Sequence, residues 1–182
     1  MDVGDMRKPE HDRSSSRTAG EGKSGILLRV SANAFANRLR HLYFLARRPM
    51  TLGVRAAAFD PAGRVFLVRH TYLPGWYLPG GGVERGETAV ESVVRELGEE
   101  GNLELAEPPR LVSIHLGRQR PRRDHILFYV CRNVRQTAPK RSDREIAASG
   151  FFAPDALPAD ATPGTLRRLE ELRSEMPADP DW

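Results

Sequence analysis

Residues 80–103 read GGGVERGETAVESVVRELGEEGNL and hold six glutamates (Glu84, Glu87, Glu91, Glu96, Glu99, Glu100) against two arginines (Arg85, Arg95). The second half has helical period: Val90, Val93, Val94 and Leu97 recur at the i, i+3, i+4, i+7 spacing of one buried stripe. At about 100° per residue, Glu96, Glu99 and Glu100 share a neighbouring face of that helix. Like charges one turn apart repel by about 0.2–0.5 kcal/mol per pair even in water, and the C-terminal end of a helix disfavours negative charge further. A cation among the carboxylates removes both penalties, and oxygen-only ligands suit a hard ion such as Mg2+, Mn2+ or Ca2+. A merely solvated acidic face explains neither the glycines at 80 to 82 nor the crowding of acids at the helix end.

The same residues resemble the Nudix box, a pattern of Gly, five residues, Glu, seven residues, then Arg-Glu-apolar-x-Glu-Glu-x-Gly-apolar. Gly81, Glu87, Arg95, Glu96, Leu97, Glu99, Glu100 and Leu103 fit its fixed positions. One position departs: the last glycine of the pattern is Asn102, with Gly101 just before it. Asparagine tolerates the left-handed backbone expected after a helix end, so the change is structurally acceptable.

Bulk properties set the frame. A chain of 182 residues with 40% apolar content accommodates one domain with extensions and a sizeable core. Its net charge of +4 and pI of about 9.6 suit an anionic partner, non-specific nucleic-acid contact included, although charge alone argues association and not fold. The single cysteine, Cys131, lies in an apolar run and reads as a packed thiol. It rules out an internal disulfide framework and suits a reducing compartment. No run of about 18 apolar residues is present, so no membrane span is expected, and the expected location is cytoplasmic.

Residues 1–30 read as a polar, disordered tail without the apolar core of a secretory signal. Residues 31–48 follow as an extra N-terminal amphipathic helix with Phe35, Leu39, Leu42, Tyr43 and Ala46 on one stripe. With Arg38, Arg40, Arg47 and Arg48 off the stripe, such a helix can lie on an anionic membrane. A stripe of this kind more often packs on its own domain or on a second subunit, which makes a homodimer one outcome; Pro49 ends it. Residues 49–176 are expected to form the catalytic domain and residues 177–182 a loose C-terminal tail.

Within that domain, residues 51–59 and 64–70 read as a hairpin across Asp60-Pro61-Ala62-Gly63, a type I turn sequence. Trp76 and Tyr77 precede the box, one of them a core residue. The glycines at 80 to 82 let backbone carbonyls approach an ion. Residues 111–116 and 125–134 read as strands joined by a loop that carries Arg118, Arg120, Arg122 and Arg123. Guanidinium groups match phosphate geometry, so Arg118, Arg120 and Arg122 are candidate substrate contacts, a solvated turn being the plainer alternative. A short strand ends at Phe151-Phe152, and Thr162-Pro163 opens a last helix packed by Leu166, Leu169 and Leu172. This order suits an α/β fold with a mixed β-sheet and helices on both faces. The Nudix resemblance implies the same α/β/α sandwich.

The resemblance also implies the chemistry. Glu99 and Glu100, helped by the Gly80 carbonyl, would bind Mg2+, with Mn2+ as a substitute; Glu96 would bind metal or act as base; Arg95 and Glu87 would orient the carboxylates. Many family members take the base from outside the box, and Glu145 is the candidate there, with Asp143 and Asp124 as alternatives. The implied reaction is metal-dependent hydrolysis of a phosphoanhydride in a nucleoside diphosphate linked to a group X, with ADP-ribose, nucleotide sugars, dinucleoside polyphosphates and NTPs as candidates. Two other classes remain: pyrophosphate removal from RNA 5′ ends, and a non-catalytic nucleotide sensor. Such sensors usually lack the box carboxylates, and here Glu96, Glu99 and Glu100 are all present.

Overall fold

The computed structural model describes residues 50–117 and 124–182. The expected N-terminal tail and helix, and Arg118, Arg120, Arg122 and Arg123, lie outside the described residues. In chain order the elements are β1 (Thr51–Ala58), β2 (Val65–His70), α1 (Ala89–Gly101), β3 (Leu103–Glu104), β4 (Arg110–Gly117), β5 (Asp124–Cys131), β6 (Arg135–Gln136), β7 (Ile146–Phe152) and α2 (Pro163–Ser174).

The expected turn forms, but the expected hairpin does not. Gly63 N–H donates to the Asp60 carbonyl at 2.9 Å, and the Asp60 carboxylate accepts from the backbone of Ala62 and Arg64. Beyond a single bridge at Phe59–Val65, however, β1 and β2 do not pair. Both edges of β1 are already taken. β5 runs parallel along one edge, from Thr51↔Asp124 to Ala58↔Cys131, and β4 adds antiparallel to β5. On the other edge lies the glycine segment: Val54 N–H donates to the Gly81 carbonyl, Ala56 N–H to that of Pro79, and Val83 N–H to that of Leu52. β2 pairs antiparallel with β7 instead.

Period-two alternation divides each central strand between two cores. Val54, Ala56 and Ala58 of β1, Phe66 and Val68 of β2, and Tyr129 and Cys131 of β5 meet Val93 and Leu97 of α1. Ala57, Val65, Leu67, Phe128 and Val130 meet Leu169 and Leu172 of α2. These are the helices on two faces that the element order implied. Trp76 and Tyr77 divide the same way, each half-buried, Trp76 against the second core and Tyr77 against the first. Cys131 is fully buried, and burial pushes its thiol up to about 12.

Three details of packing correct the sequence reading. On α1 only Val93 and Leu97 of the four-residue stripe are buried; Val90 and Val94 are exposed, because Ser92, Glu100 and Gly101 fill the rest of the inward face. On α2 Leu166 is exposed and Arg168 is fully buried in its stead, donating to Glu171 at 2.6 Å. Finally, residues 177–182 are not loose. Leu116 N–H donates to the Pro180 carbonyl and Trp182 N–H to that of Leu116, so the segment extends the sheet beside β4. The Trp182 ring packs on Phe128 and His115, with centroids 5.9 and 5.5 Å away, and an aromatic surface of this size accounts for the docking.

Candidate active site

The six glutamates of the box divide by job. Glu91 closes a capping box on α1: Thr88 Oγ1 accepts from Glu91 N–H at 3.2 Å, and Glu91 accepts from Thr88 N–H at 2.7 Å. Glu87 takes a two-pronged hydrogen bond from Arg95, at 2.8 and 3.1 Å, and a third bond from Glu84 N–H. Those donors, Arg95 first, hold the Glu87 carboxyl down at about 2. The same guanidinium donates to Glu96 at 2.8 Å, to Glu99 at 3.2 Å and to the Gly82 carbonyl at 3.0 Å. Arg95 thereby ties helix, loop and glycine segment together, and its bond to Glu87 before all others raises its own pKa.

Glu99 and Glu100 fall in the last turn of α1, which carries no basic residue. The helix ends at Asn102 with φ 52° and ψ 39°, the left-handed backbone expected at the departing position. Gly101 is needed for a different reason: a Cβ there would stand 2.7 Å from the Phe66 ring. Glu99 is exposed, whereas Glu100 is buried, with one oxygen accepting from Gly80 N–H at 2.7 Å. Burial pushes the Glu100 carboxyl up to about 7 and also raises Glu96. The glycine segment permits this closeness. A Cβ on Gly81 would collide with the Glu96 carboxylate, and one on Gly80, at φ 139°, with the Val54 carbonyl. The Gly80 carbonyl accepts a hydrogen bond from Arg55 of β1, so a cation already faces this atom.

Glu145 reaches the same place from the other side. Asp143 accepts from the backbone N–H of Glu145 and Ile146 and pairs with Lys140 at 2.6 Å; these bonds, the Ile146 one first, lower its pKa. Asp143 is therefore committed to shaping the turn that presents Glu145. The turn is stapled to the end of β2, with Thr71 N–H donating to the Glu145 carbonyl and Thr71 Oγ1 to that of Arg144. One ligand atom each from His70, Glu100 and Glu145 lies within 4.8 Å of the other two.

Arg55 also connects the carboxylates to two cavities. One, of about 560 Å³, is bordered by Gly53, Arg55, Gly81, Gly82 and Asp124. The other, of about 540 Å³, is lined by Arg55, Tyr77, Asp124, Arg167 and Trp182. Gly117 and Asp124, the residues that bracket Arg118, Arg120 and Arg122 in sequence, both line this second cavity. Sequence reasoning missed Arg55, His70 and Tyr72, which donates to Glu145 at 3.5 Å. Nothing in the local pattern separates them from ordinary strand and loop residues.

A family model described as the NUDIX domain matches residues 49–172. The chain belongs to the Nudix family. Its relatives include an RNA pyrophosphohydrolase of Gluconobacter oxydans, 45% identical over 58 residues, or 29% of this chain and 34% of that protein. The chain thus spans about a third of the length of this relative. A Bacillus subtilis protein provisionally named an 8-oxo-dGTP diphosphatase is 28% identical over 128 residues, 68% of this chain and 80% of the relative. Among solved structures, the MutT Nudix hydrolase of Burkholderia pseudomallei superposes with a TM-score of 0.57 at 28% identity, covering 67% of this chain and 97% of that one.

A divalent cation fits the Nudix residues found here. Glu100 is buried with its pKa forced upward, Glu96 is raised as well, and Arg95 serves Glu87 before either. Oxygen donors in that state match a hard ion.

Proposed function

We propose that this Nudix protein hydrolyses a phosphoanhydride bond in a nucleoside diphosphate linked to a second group X. The observation that carries the reading is that buried Glu100 meets Glu145, while Glu96 and Glu99, about one turn or less away on α1, share the Arg95 guanidinium, beside cavities that share Arg55. Glu96, Glu99 and Glu100 would hold Mg2+, with Mn2+ as a substitute. Such an ion, when bound, neutralises phosphate oxygens and lowers the pKa of water. Arg95 and Glu87 hold the carboxylates in place through five hydrogen bonds that run from one guanidinium to Glu87, Glu96, Glu99 and Gly82. Glu145, on a turn fixed by Asp143, would take a proton from the attacking water. Arg55 meets the phosphates from the cavity side; Arg118, Arg120 and Arg122 are further phosphate contacts proposed from the sequence alone, since they lie outside the described residues. Positioning and charge neutralisation carry most of this kind of reaction, which is why so few residues suffice. The second cavity combines the aromatic rings of Tyr77 and Trp182 with the guanidiniums of Arg55 and Arg167, a mixture that suits a nucleoside joined to phosphates.

The test is a phosphate-release screen with Mg2+ across NTPs, 8-oxo-dGTP, ADP-ribose, nucleotide sugars, dinucleoside polyphosphates and triphosphorylated RNA, a phosphatase converting products into signal. One preferred substrate names X. Glu99→Gln should abolish its turnover with the fold intact; a Mg2+-dependent rate equal to that of the unmodified protein would remove the mechanism.

A further inference from the structure

His70 ends β2 at a register shift, Arg69 facing Ala148 and His70 facing Ile146. Its side chain is only 4% exposed. The rings of Tyr72 and Tyr77 lie against it, with centroids at 5.2 and 5.6 Å, and explain where the imidazole sits. They use neither of its nitrogens. Nδ1 is buried without a partner among the described residues, and Nε2 stands 3.8 Å from Glu100 Oε1, too far for a hydrogen bond. A buried imidazole left unsatisfied is costly, so a partner for it is expected. The two carboxylates around it are arranged to the same end. Glu100 spends Oε2 on Gly80 N–H, leaving Oε1 towards His70. Glu145 is aimed by the Asp143 turn and closes the third side.

We propose that His70, Glu100 and Glu145 form a mixed nitrogen–oxygen metal subsite that takes a first-row transition ion, Mn2+ or Co2+, in preference to Mg2+. It rests on the hydrolase reading only in sharing Glu100 and Glu145 with it. The geometry is close to what an ion requires. Donors about 2.0–2.2 Å from a common ion lie at most about 4.4 Å apart, and the three donors here lie within 4.8 Å of one another. Imidazole favours transition ions, whereas Mg2+ prefers oxygen and retains its water. An all-carboxylate box does not make that distinction. Adding His70 supplies a donor that does.

The experiment uses the full chain at saturating Mn2+ and pulsed electron paramagnetic resonance, which detects nitrogen bound directly to the ion. The expected result is a nitrogen coupling of imidazole type that disappears in His70→Gln. Titration should also show Mn2+ affinity falling at least about tenfold in that variant, since losing even an outer partner of a ligand costs about 10–100-fold, with Mg2+ affinity changed far less. Mn2+ bound without any nitrogen coupling in the unmodified chain would overturn the subsite and leave the carboxylate site standing. A coupling that survives His70→Gln would overturn it too. Failure to bind Mn2+ at all would overturn this subsite, whereas the hydrolase reading falls only if the Mg2+ screen shows no turnover. If His70→Gln folds poorly, His70→Asn serves in its place, and absence of the coupling in the unmodified chain overturns the subsite without any variant.

Discussion

Glu100→Gln tests whether the box is built for a cation, and it does so in metal-free protein. Burial raises the Glu100 carboxyl from an ordinary 4.5 to about 7. A carboxyl whose folded pKa lies above its unfolded one favours folding in its protonated form. The penalty is therefore absent below about pH 4.5, grows as pH rises through the interval, and is complete above about pH 7. The difference of about 2.5 units corresponds to about 3 kcal/mol at most, of which about 2 kcal/mol develops between pH 5 and pH 8. Glutamine keeps an oxygen for Gly80 N–H and carries no charge to desolvate. Urea unfolding in a chelator should show the unmodified chain losing about 2 kcal/mol more than Glu100→Gln from pH 5 to pH 8, other groups titrating alike in both. At pH 8, saturating Mg2+ should restore the unmodified chain and leave the variant unmoved. Parallel pH profiles in the chelator would refute the argument, because they would mean that Glu100 meets no desolvation cost for a cation to relieve.

Two further perturbations separate positioning from packing. Arg95→Lys keeps one charge but cannot serve Glu87, Glu96, Glu99 and the Gly82 carbonyl together, so kcat should fall about 100-fold with a small change in KM; steady-state kinetics on the substrate found in the screen checks this. Asn102→Ala places an ordinary residue at φ 52° and should cost about 1 kcal/mol in urea unfolding, while Asn102→Gly should be neutral or better.

The local signals were legible because each depends on residues close in sequence. Thr162 caps α2 with Pro163 at its first turn, as read, and the Asp60 turn forms with its expected hydrogen bond. The hydrogen bonds that join Arg95 to Glu87 and Glu96 link residues that the box pattern already sets at a fixed spacing. Pairing partners were not legible. A strong turn between two apolar runs argues for a hairpin, but only the edges of β1 decide, and both are filled by segments remote in sequence. The same limit applies to residues 177–182, whose polar composition reads as a tail although one ring, that of Trp182, finds a place between Phe128 and Arg168.

The missed site residues share one cause. Arg55 sits on β1 among apolar neighbours, and in sequence an arginine there is indistinguishable from one on a solvated face. What gives it a role is the glycine segment lying on the far edge of β1, which brings the Gly80 carbonyl to its guanidinium. His70 likewise reads as the end of a strand. The register shift at that point and the Thr71 staples to the 144–145 turn set it opposite Glu100 and beside Glu145. The box therefore supplies the acids of the site and the spacing that orients them. The groups that face those acids are supplied by β1 and the end of β2, placed by strand pairing that no local motif encodes. Substitutions at Arg55 and His70 should accordingly alter which ion or phosphate the site accepts more than they alter the helix that carries Glu96, Glu99 and Glu100.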